Sequence, residues 1–71
     1  MPNPRITKRE SQVLQWLVQG KRDGEIAAIL GGSVRTIHKH VQRLFQKLHV
    51  ETRTAAALRG IELGLAVEPR S

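Results

Sequence analysis

Two histidines placed two residues apart are the first feature of this sequence that could carry chemistry. They are His38 and His40, in a run over residues 33–42 with the sequence SVRTIHKHVQ. Imidazole nitrogens bind transition metals and transfer protons in catalysis. Histidines that chelate one metal ion from a helix are spaced by three or four residues. Residues i and i+2 of a helix differ by about 200° around its axis, so the two histidine side chains point in different directions. This spacing therefore predicts no metal site.

A catalytic role for either histidine is disfavoured because its partners are missing. A catalytic histidine needs a nucleophile and an orienting acid within reach. No Asp or Glu occurs between Ser33 and Val50, and Glu10, Glu25 and Glu51 are scattered singly. The chain has no cysteine, which excludes thiolate catalysis, disulfides and thiolate-rich zinc sites. We therefore expect no enzymatic activity and no cofactor.

The charge of the chain favours an anionic partner. Its 71 residues include 12 Lys and Arg against 6 Asp and Glu, a formal net charge of +6. A positive charge of this size in one small domain is typical of proteins that bind nucleic acid or an acidic membrane surface. A merely soluble basic domain has the same composition. No apolar run approaches the roughly 20 residues of a membrane span, and no signal peptide is evident. We expect a cytoplasmic protein.

Four helices must position these residues. Each predicted helix starts at a residue able to cap it, and no segment alternates with the period of a strand. The predicted helices are 8–19 after a capping box at Thr7 and Glu10, 24–30 after Asp23, 34–48 after Ser33, and a fourth that runs from Thr52 to Gly64. The fold class is therefore all-α, a compact four-helix bundle.

The second and third predicted helices form a helix-turn-helix around Gly31 and Gly32. Along the third helix the apolar stripe consists of Val34, Ile37, Val41, Leu44, Phe45 and Leu48. The opposite face carries Arg35, Lys39, Arg43 and Gln46, with Gln42 close by. Such a face suits the major groove, where Arg and Lys donate to guanine and Gln pairs with adenine. An ordinary solvated face is the alternative.

A set of residues spread over 6–64 matches one family of DNA-binding domains. They are Ile6, Thr7, Arg9, Glu10, Val13, Leu14, Gly20, Glu25, Ile26, Ala27, Leu30, Ser33, Thr36, Ile37, His40, Lys47, Leu48, Val50, Arg53 and Ala56. On these residues the chain resembles the LuxR-type (LuxR/GerE) helix-turn-helix domain of bacterial transcription regulators. The resemblance implies sequence-specific binding of double-stranded DNA by a recognition helix over about 34–48, for transcriptional regulation.

The resemblance also implies roles for single residues. It places base-reading positions at His38, Lys39 and Gln42, and the helical wheel adds Arg35 and Arg43. The phosphate-contacting positions that it implies are Thr36, His40 and Lys47, together with Ser33, whose capping role is a sufficient alternative. Thr7, Glu10 and Arg53 are implied to be structural. An ion pair between Glu10 and Arg53 is one interpretation, and a role of Glu10 in the capping box alone is the other.

Partners and boundaries follow from the same resemblance. The fourth helix commonly mediates dimer contacts in this family, with Ala55, Leu58, Arg59 and Glu62 as candidates, although these residues could simply complete the core. Family members often carry a sensing or receiver domain ahead of this one, so an upstream domain is a further expected partner. We expect an N-terminal arm or linker over 1–6, the DNA-binding domain over 7–64 and a flexible C-terminal tail over 65–71.

Two other functions compete with DNA binding. One is a protein-interaction bundle that uses the same fold without DNA. The other is a basic domain on a membrane surface, which is disfavoured because the apolar stripe opposite the positive face is needed by the core. No membrane partner is therefore expected.

Two glycines depart from the pattern of the family. Gly32 stands where the family usually has a branched apolar residue, and Gly24 replaces a better helix former. A glycine inside a helix costs about 0.5–1 kcal/mol. We therefore expect reduced stability. The position of His38, which is usually lysine in the family, is a third departure.

Overall fold

Four helices make up the structure, a computed structural model that describes residues 4–69. They are α1 (Lys8–Val18), α2 (Asp23–Leu30), α3 (Val34–Leu48) and α4 (Arg53–Glu62). No strand occurs among the described residues, and the all-α bundle is confirmed. Helix α3 packs against each of the other three helices, and α1 also packs against α4. The arrangement buries one side of α3 and leaves its other side in solvent.

Three of the four predicted N-caps are confirmed. The Thr7 hydroxyl accepts from the Glu10 amide at 3.1 Å, and the Glu10 carboxylate accepts from the Thr7 amide at 3.0 Å, which is the predicted capping box. Ser33 accepts from the amide of Thr36 at 3.1 Å. Thr52 caps α4 in the same way, by accepting from the third residue of that helix.

The prediction that Asp23 caps α2 is wrong. The N-cap is Arg22, and Asp23 is the first residue of the helix. Arginine has no side-chain acceptor for the free amides of a first turn. Glu25 instead accepts from the Arg22 amide at 2.9 Å, so the start of α2 is still held by a carboxylate. This leaves the Asp23 side chain for another contact.

The core is formed by apolar side chains from all four helices. Its members are Val13, Leu14, Leu17, Val18, Ile26, Ala27, Ile37, Val41, Leu44, Leu48, Ala56 and Ala66. Phe45 is half-buried against it, as is Trp16. Val34 was predicted to belong to the stripe but is 51% exposed, because it is the first residue of α3 and the stripe is covered only from Ile37 onward.

Helices α1 and α4 approach each other closely at Gly60. A Cβ placed on Gly60 would lie only 2.9 Å from Leu14 Cδ2, far inside van der Waals contact. Leu14 is fully buried, so it cannot move aside without opening the core. The missing side chain at position 60 therefore sets the distance between the two helices, a role that the sequence pattern did not reveal.

The predicted flexible tail is wrong for residues 65–67. Ala66 is buried, and Leu65 packs against the core. The Gln15 side chain donates to the Val67 carbonyl at 3.1 Å and accepts from its amide at 3.0 Å. The chain turns back to make these contacts at Gly64, which has a φ of 73°. Residues 70–71 of the predicted tail and residues 1–3 of the predicted N-terminal arm lie outside the described residues. Within the predicted arm, Ile6 packs against the core.

The turn between α2 and α3 depends on glycine. Gly31 and Gly32 have φ values of 84° and 97°, in a region that is costly for other residues. Gly24 differs, because it lies in the first turn of α2 with no positive φ. An added Cβ would have no heavy atom within 4 Å at Gly24 or Gly32. The two positions therefore have equal space and different backbone requirements.

Replacing Gly24 by alanine is expected to raise the free energy of unfolding by about 0.5 kcal/mol, up to about 1 kcal/mol, because alanine loses less conformational entropy in a helix. Gly32→Ala is the matched control and is expected to lower it, because alanine disfavours the positive φ there. Urea unfolding followed by circular dichroism measures both values. A change of the same sign in the two variants would contradict this explanation.

Candidate nucleic-acid interface

The side of α3 that faces solvent carries amide and cationic side chains. We define the basic face as Arg35, Lys39, Gln42, Arg43 and Gln46, all of which are exposed. No Asp or Glu lies between residues 33 and 50. Within residues 4–69, the three cations of the basic face form no ion pair. Their donors are therefore available to an external anion or to base edges.

The two histidines lie on opposite shoulders of the basic face and have different surroundings. His38 has 60% of its side chain exposed, and its Nδ1 lies 3.3 Å from Asp23 Oδ2. His40 is half-buried, and its Nδ1 is buried with no hydrogen-bond partner among the described residues. Only Nε2 of His40 is then left for an external contact. Nowhere in residues 4–69 do three His, Cys, Asp or Glu side chains form a group able to hold a metal ion.

Two hydroxyl groups lie at the N-terminus of α3. The Ser33 and Thr36 hydroxyl oxygens are 3.0 Å apart, and both residues are exposed. The first turn of α3 has no acidic residue. The free amides and the positive end of the helix dipole make this end favourable for an anion.

A buried carboxylate lies behind the far half of α3. Glu10 is 1% exposed, and its Oε1 accepts from Lys47 Nζ at 2.6 Å. Burial opposes ionisation of Glu10, but hydrogen bonds from Lys47 and Thr7 outweigh it, so the pKa of Glu10 lies below its ordinary value of 4.5. The predicted pairing of Glu10 with Arg53 is wrong, because Lys47 on α3 reaches the carboxylate.

Arg53 pairs with Asp23 instead. Its Nη1 donates to Asp23 Oδ1 at 2.7 Å, and its Nη2 donates to the Lys21 carbonyl at 2.8 Å. These contacts tie α4 to the start of α2 and not to α1. The sequence pattern predicts only a capping role for Asp23. The available signal was that Asp23 is the only aspartate in a chain rich in arginine.

The dimer candidates on α4 divide into two kinds. Leu58 is 59% exposed, whereas Ala55 is half-buried. Arg59 and Glu62 are exposed and form an ion pair of 3.7 Å within the helix. Leu58 thus presents an uncovered apolar side chain on the outer side of α4.

No helix in residues 4–69 has the length and apolar character to cross a membrane.

Lys47→Met is expected to lower the free energy of unfolding, because it leaves the Glu10 carboxylate buried without its cation. The loss should fall between the roughly 1 kcal/mol of an exposed pair and the roughly 3–5 kcal/mol of a buried one, since Lys47 is 33% exposed. Lys39→Met, which removes the same charge from the exposed side of α3, should change stability by less than about 0.5 kcal/mol. Chemical denaturation at about pH 7 measures both; equal losses would refute the role of the pair.

The same pair predicts a pH dependence. Because the folded pKa of Glu10 is lowered, ionisation of Glu10 stabilises the fold above its ordinary pKa of 4.5. This contribution disappears as the pH falls through the lower folded pKa. We expect wild-type stability to fall in that acid range, and to fall less steeply in Lys47→Met.

Comparison with known proteins agrees with this geometry. The family described as "Bacterial regulatory proteins, luxR family" matches residues 4–59. The transcriptional activator protein AnoR of Acinetobacter nosocomialis is 42% identical over 60 residues, 84% of this chain and 25% of AnoR. The quorum-sensing regulator RhlR of Pseudomonas aeruginosa is 39% identical over 66 residues, 92% of this chain and 27% of RhlR.

A solved structure has the same fold. The structure of the transcription factor GerE superimposes with a TM-score of 0.81 at 32% identity, covering 87% of this chain and 92% of that one. The chain spans about a quarter of the length of AnoR and RhlR. It belongs to the LuxR family of bacterial regulatory proteins, as a helix-turn-helix DNA-binding domain, and the domains of this family are not enzymes.

Proposed function

We propose that the domain binds double-stranded DNA sequence-specifically by placing α3 in the major groove, and that it regulates transcription by doing so. The basic face is the observation that carries this proposal. It has three unpaired cations and two amides within the described residues, and it is free of carboxylates. An α-helix fits the major groove, where cations and amides meet the base edges.

Base reading is assigned to five side chains: His38, Lys39, Gln42, Arg35 and Arg43. Gln42 has the donor and acceptor that a bidentate pair with adenine requires. The cations donate to guanine O6 and N7. All five are exposed, and they occupy one side of α3 and its shoulder.

Phosphate contacts are assigned to the ends and flank of the same helix. Ser33 and Thr36 lie at the N-terminus of α3, and His40 has Nε2 left for an external acceptor. Lys47 has three donors, of which one serves Glu10. The other two are left for a phosphate, and Lys47 is partly exposed.

Dimerisation on DNA is proposed through α4. One copy of so small a domain makes few contacts, so two copies on half-sites about one helical turn apart supply the affinity. The exposed Leu58 is the apolar centre of the proposed contact, with Ala55, Arg59 and Glu62 around it.

An upstream sensing or receiver domain is proposed as the source of regulation. AnoR and RhlR are about four times as long as their matched segments, and RhlR is named for quorum sensing. A cytoplasmic location is proposed because DNA is the partner.

A bundle that binds only proteins is the competing function, and the salt dependence of binding separates it from DNA binding. Binding that neutralises several phosphates loses about 0.9 log units of affinity per phosphate for each tenfold rise in salt.

Selection from a random duplex library tests base reading. Lys39→Ala and Gln42→Ala are each expected to relax the preferred base at one or two positions, because a bidentate pair with a base supplies about 1–3 kcal/mol of discrimination. Gln19→Ala, on an exposed residue at the end of α1, is the control and should select the wild-type sequence. An unchanged site in both α3 variants would refute the reader assignment. No enrichment by a forced dimer would refute the function.

Leu58→Glu tests the dimer. We expect it to weaken binding to a duplex with two half-sites by about tenfold or more, or about 1.4 kcal/mol, while binding to one half-site is unchanged. Val67→Glu is the matched control, because this side chain is 72% exposed and lies outside α4. Electrophoretic mobility shift with both duplexes measures the effect. The same loss on the single half-site would argue against a dimer contact.

A further inference from the structure

The Asp23 side chain joins three helices at the edge of the basic face. One oxygen, Oδ1, accepts from Arg53 Nη1 at 2.7 Å, and the other, Oδ2, lies 3.3 Å from His38 Nδ1. Arg53 also donates to the Lys21 carbonyl at 2.8 Å, so the guanidinium is held from two sides. The Asp23 side chain is 18% exposed. Each oxygen of Asp23 therefore has its own defined partner.

This contact determines where the proton of a neutral His38 lies. An ionised carboxylate only accepts hydrogen bonds, so Nδ1 must carry the proton when it faces Oδ2. In a neutral imidazole the other nitrogen then has a lone pair and no proton. Nε2 lies across the ring from Nδ1, and 60% of the His38 side chain is exposed. The outer nitrogen of His38 is therefore a hydrogen-bond acceptor.

We propose that Asp23 is a positioning residue that makes His38 an acceptor on the DNA-reading surface. This inference rests on the proposed function, in which α3 lies in the major groove. There, the N4 amino group of cytosine and the N6 amino group of adenine donate, whereas guanine and thymine present acceptor oxygens. His38 thus selects cytosine or adenine at its position. The lysine and arginines of the basic face, which only donate, select guanine.

Asp23→Asn is the informative variant, because Arg53 controls how the new amide sits. Arg53 Nη1 requires an acceptor at 2.7 Å, so the amide oxygen stays on that side and the NH2 group faces His38. A donor opposite Nδ1 favours the other tautomer, with the proton on Nε2. The outer nitrogen becomes a donor, and the preferred base changes to guanine or thymine.

Glu25→Gln is the matched control for charge. Glu25 lies in the same turn of α2, and its side chain accepts from the Arg22 amide, a role that the glutamine oxygen can keep. The variant removes one negative charge from the same turn of α2 without altering the Asp23 contact. Any effect of charge alone appears in both variants, whereas the change of tautomer appears only in Asp23→Asn.

The first measurement uses the free domain. Nitrogen-15 spectra of the histidine rings at about pH 8, above the ordinary titration range of imidazole, distinguish the two tautomers. We expect the proton of His38 on Nδ1 in the wild type and in Glu25→Gln, and on Nε2 in Asp23→Asn. A wild-type proton on Nε2 overturns the proposal. This result needs no DNA and no variant, so it stands even if Asp23→Asn folds poorly.

The second measurement is duplex selection at about pH 8. We expect a wild-type preference of about two- to tenfold for cytosine or adenine at one position, as one hydrogen bond provides, and its inversion in Asp23→Asn. In a His38→Ala background the Asp23 change should alter no base, which separates reading from a structural effect. An unchanged preference in Asp23→Asn overturns the role of Nε2. Failure of the wild type to select any duplex refutes the proposed function. The tautomer spectra distinguish this outcome from a failure of the Asp23 proposal, because they are recorded without DNA.

Discussion

Glu10 is 1% exposed, and a domain of this size can bury its charged carboxylate only because hydrogen-bond donors surround it. Thr7 supplies its amide from the start of α1, and Lys47 reaches across from α3 at 2.6 Å. The contact ties the start of α1 to the last turn of α3. Because the apolar stripe of α3 packs on the same side, the opposite side must face solvent, and this side is the basic face.

A second electrostatic contact, centred on Asp23, acts at the other end of the reading surface. Asp23 lies in the first turn of α2, and it draws together Arg53 from α4 and His38 from α3. Helix α3 is thus held by one carboxylate near its start, Asp23, and by another at its end, Glu10. Both carboxylates pair with cations that lie outside the basic face, Lys47 and Arg53.

Much of the fold could be predicted because its signals are local. The capping hydroxyls of Thr7, Ser33 and Thr52 act on amides three residues away, and the stripe of α3 repeats every three or four residues. Predictions failed where a distant contact decided the outcome. Residues 65–67 pack on α1 through Gln15, which is 52 residues from Val67, and Gly60 matters only because α4 lies against Leu14.

The sequence by itself determined the helices, the family and the acid-free face of α3, because each depends on residue type and on spacing within one or two turns. Only the tertiary structure decided which charges meet. Glu10 and Lys47 are separated by 37 residues, and Asp23 and Arg53 by 30, so their distances follow from how the helices pack and not from any local pattern. The hydrogen-bonding state of His38 belongs to the second group, because the carboxylate that sets it lies on another helix.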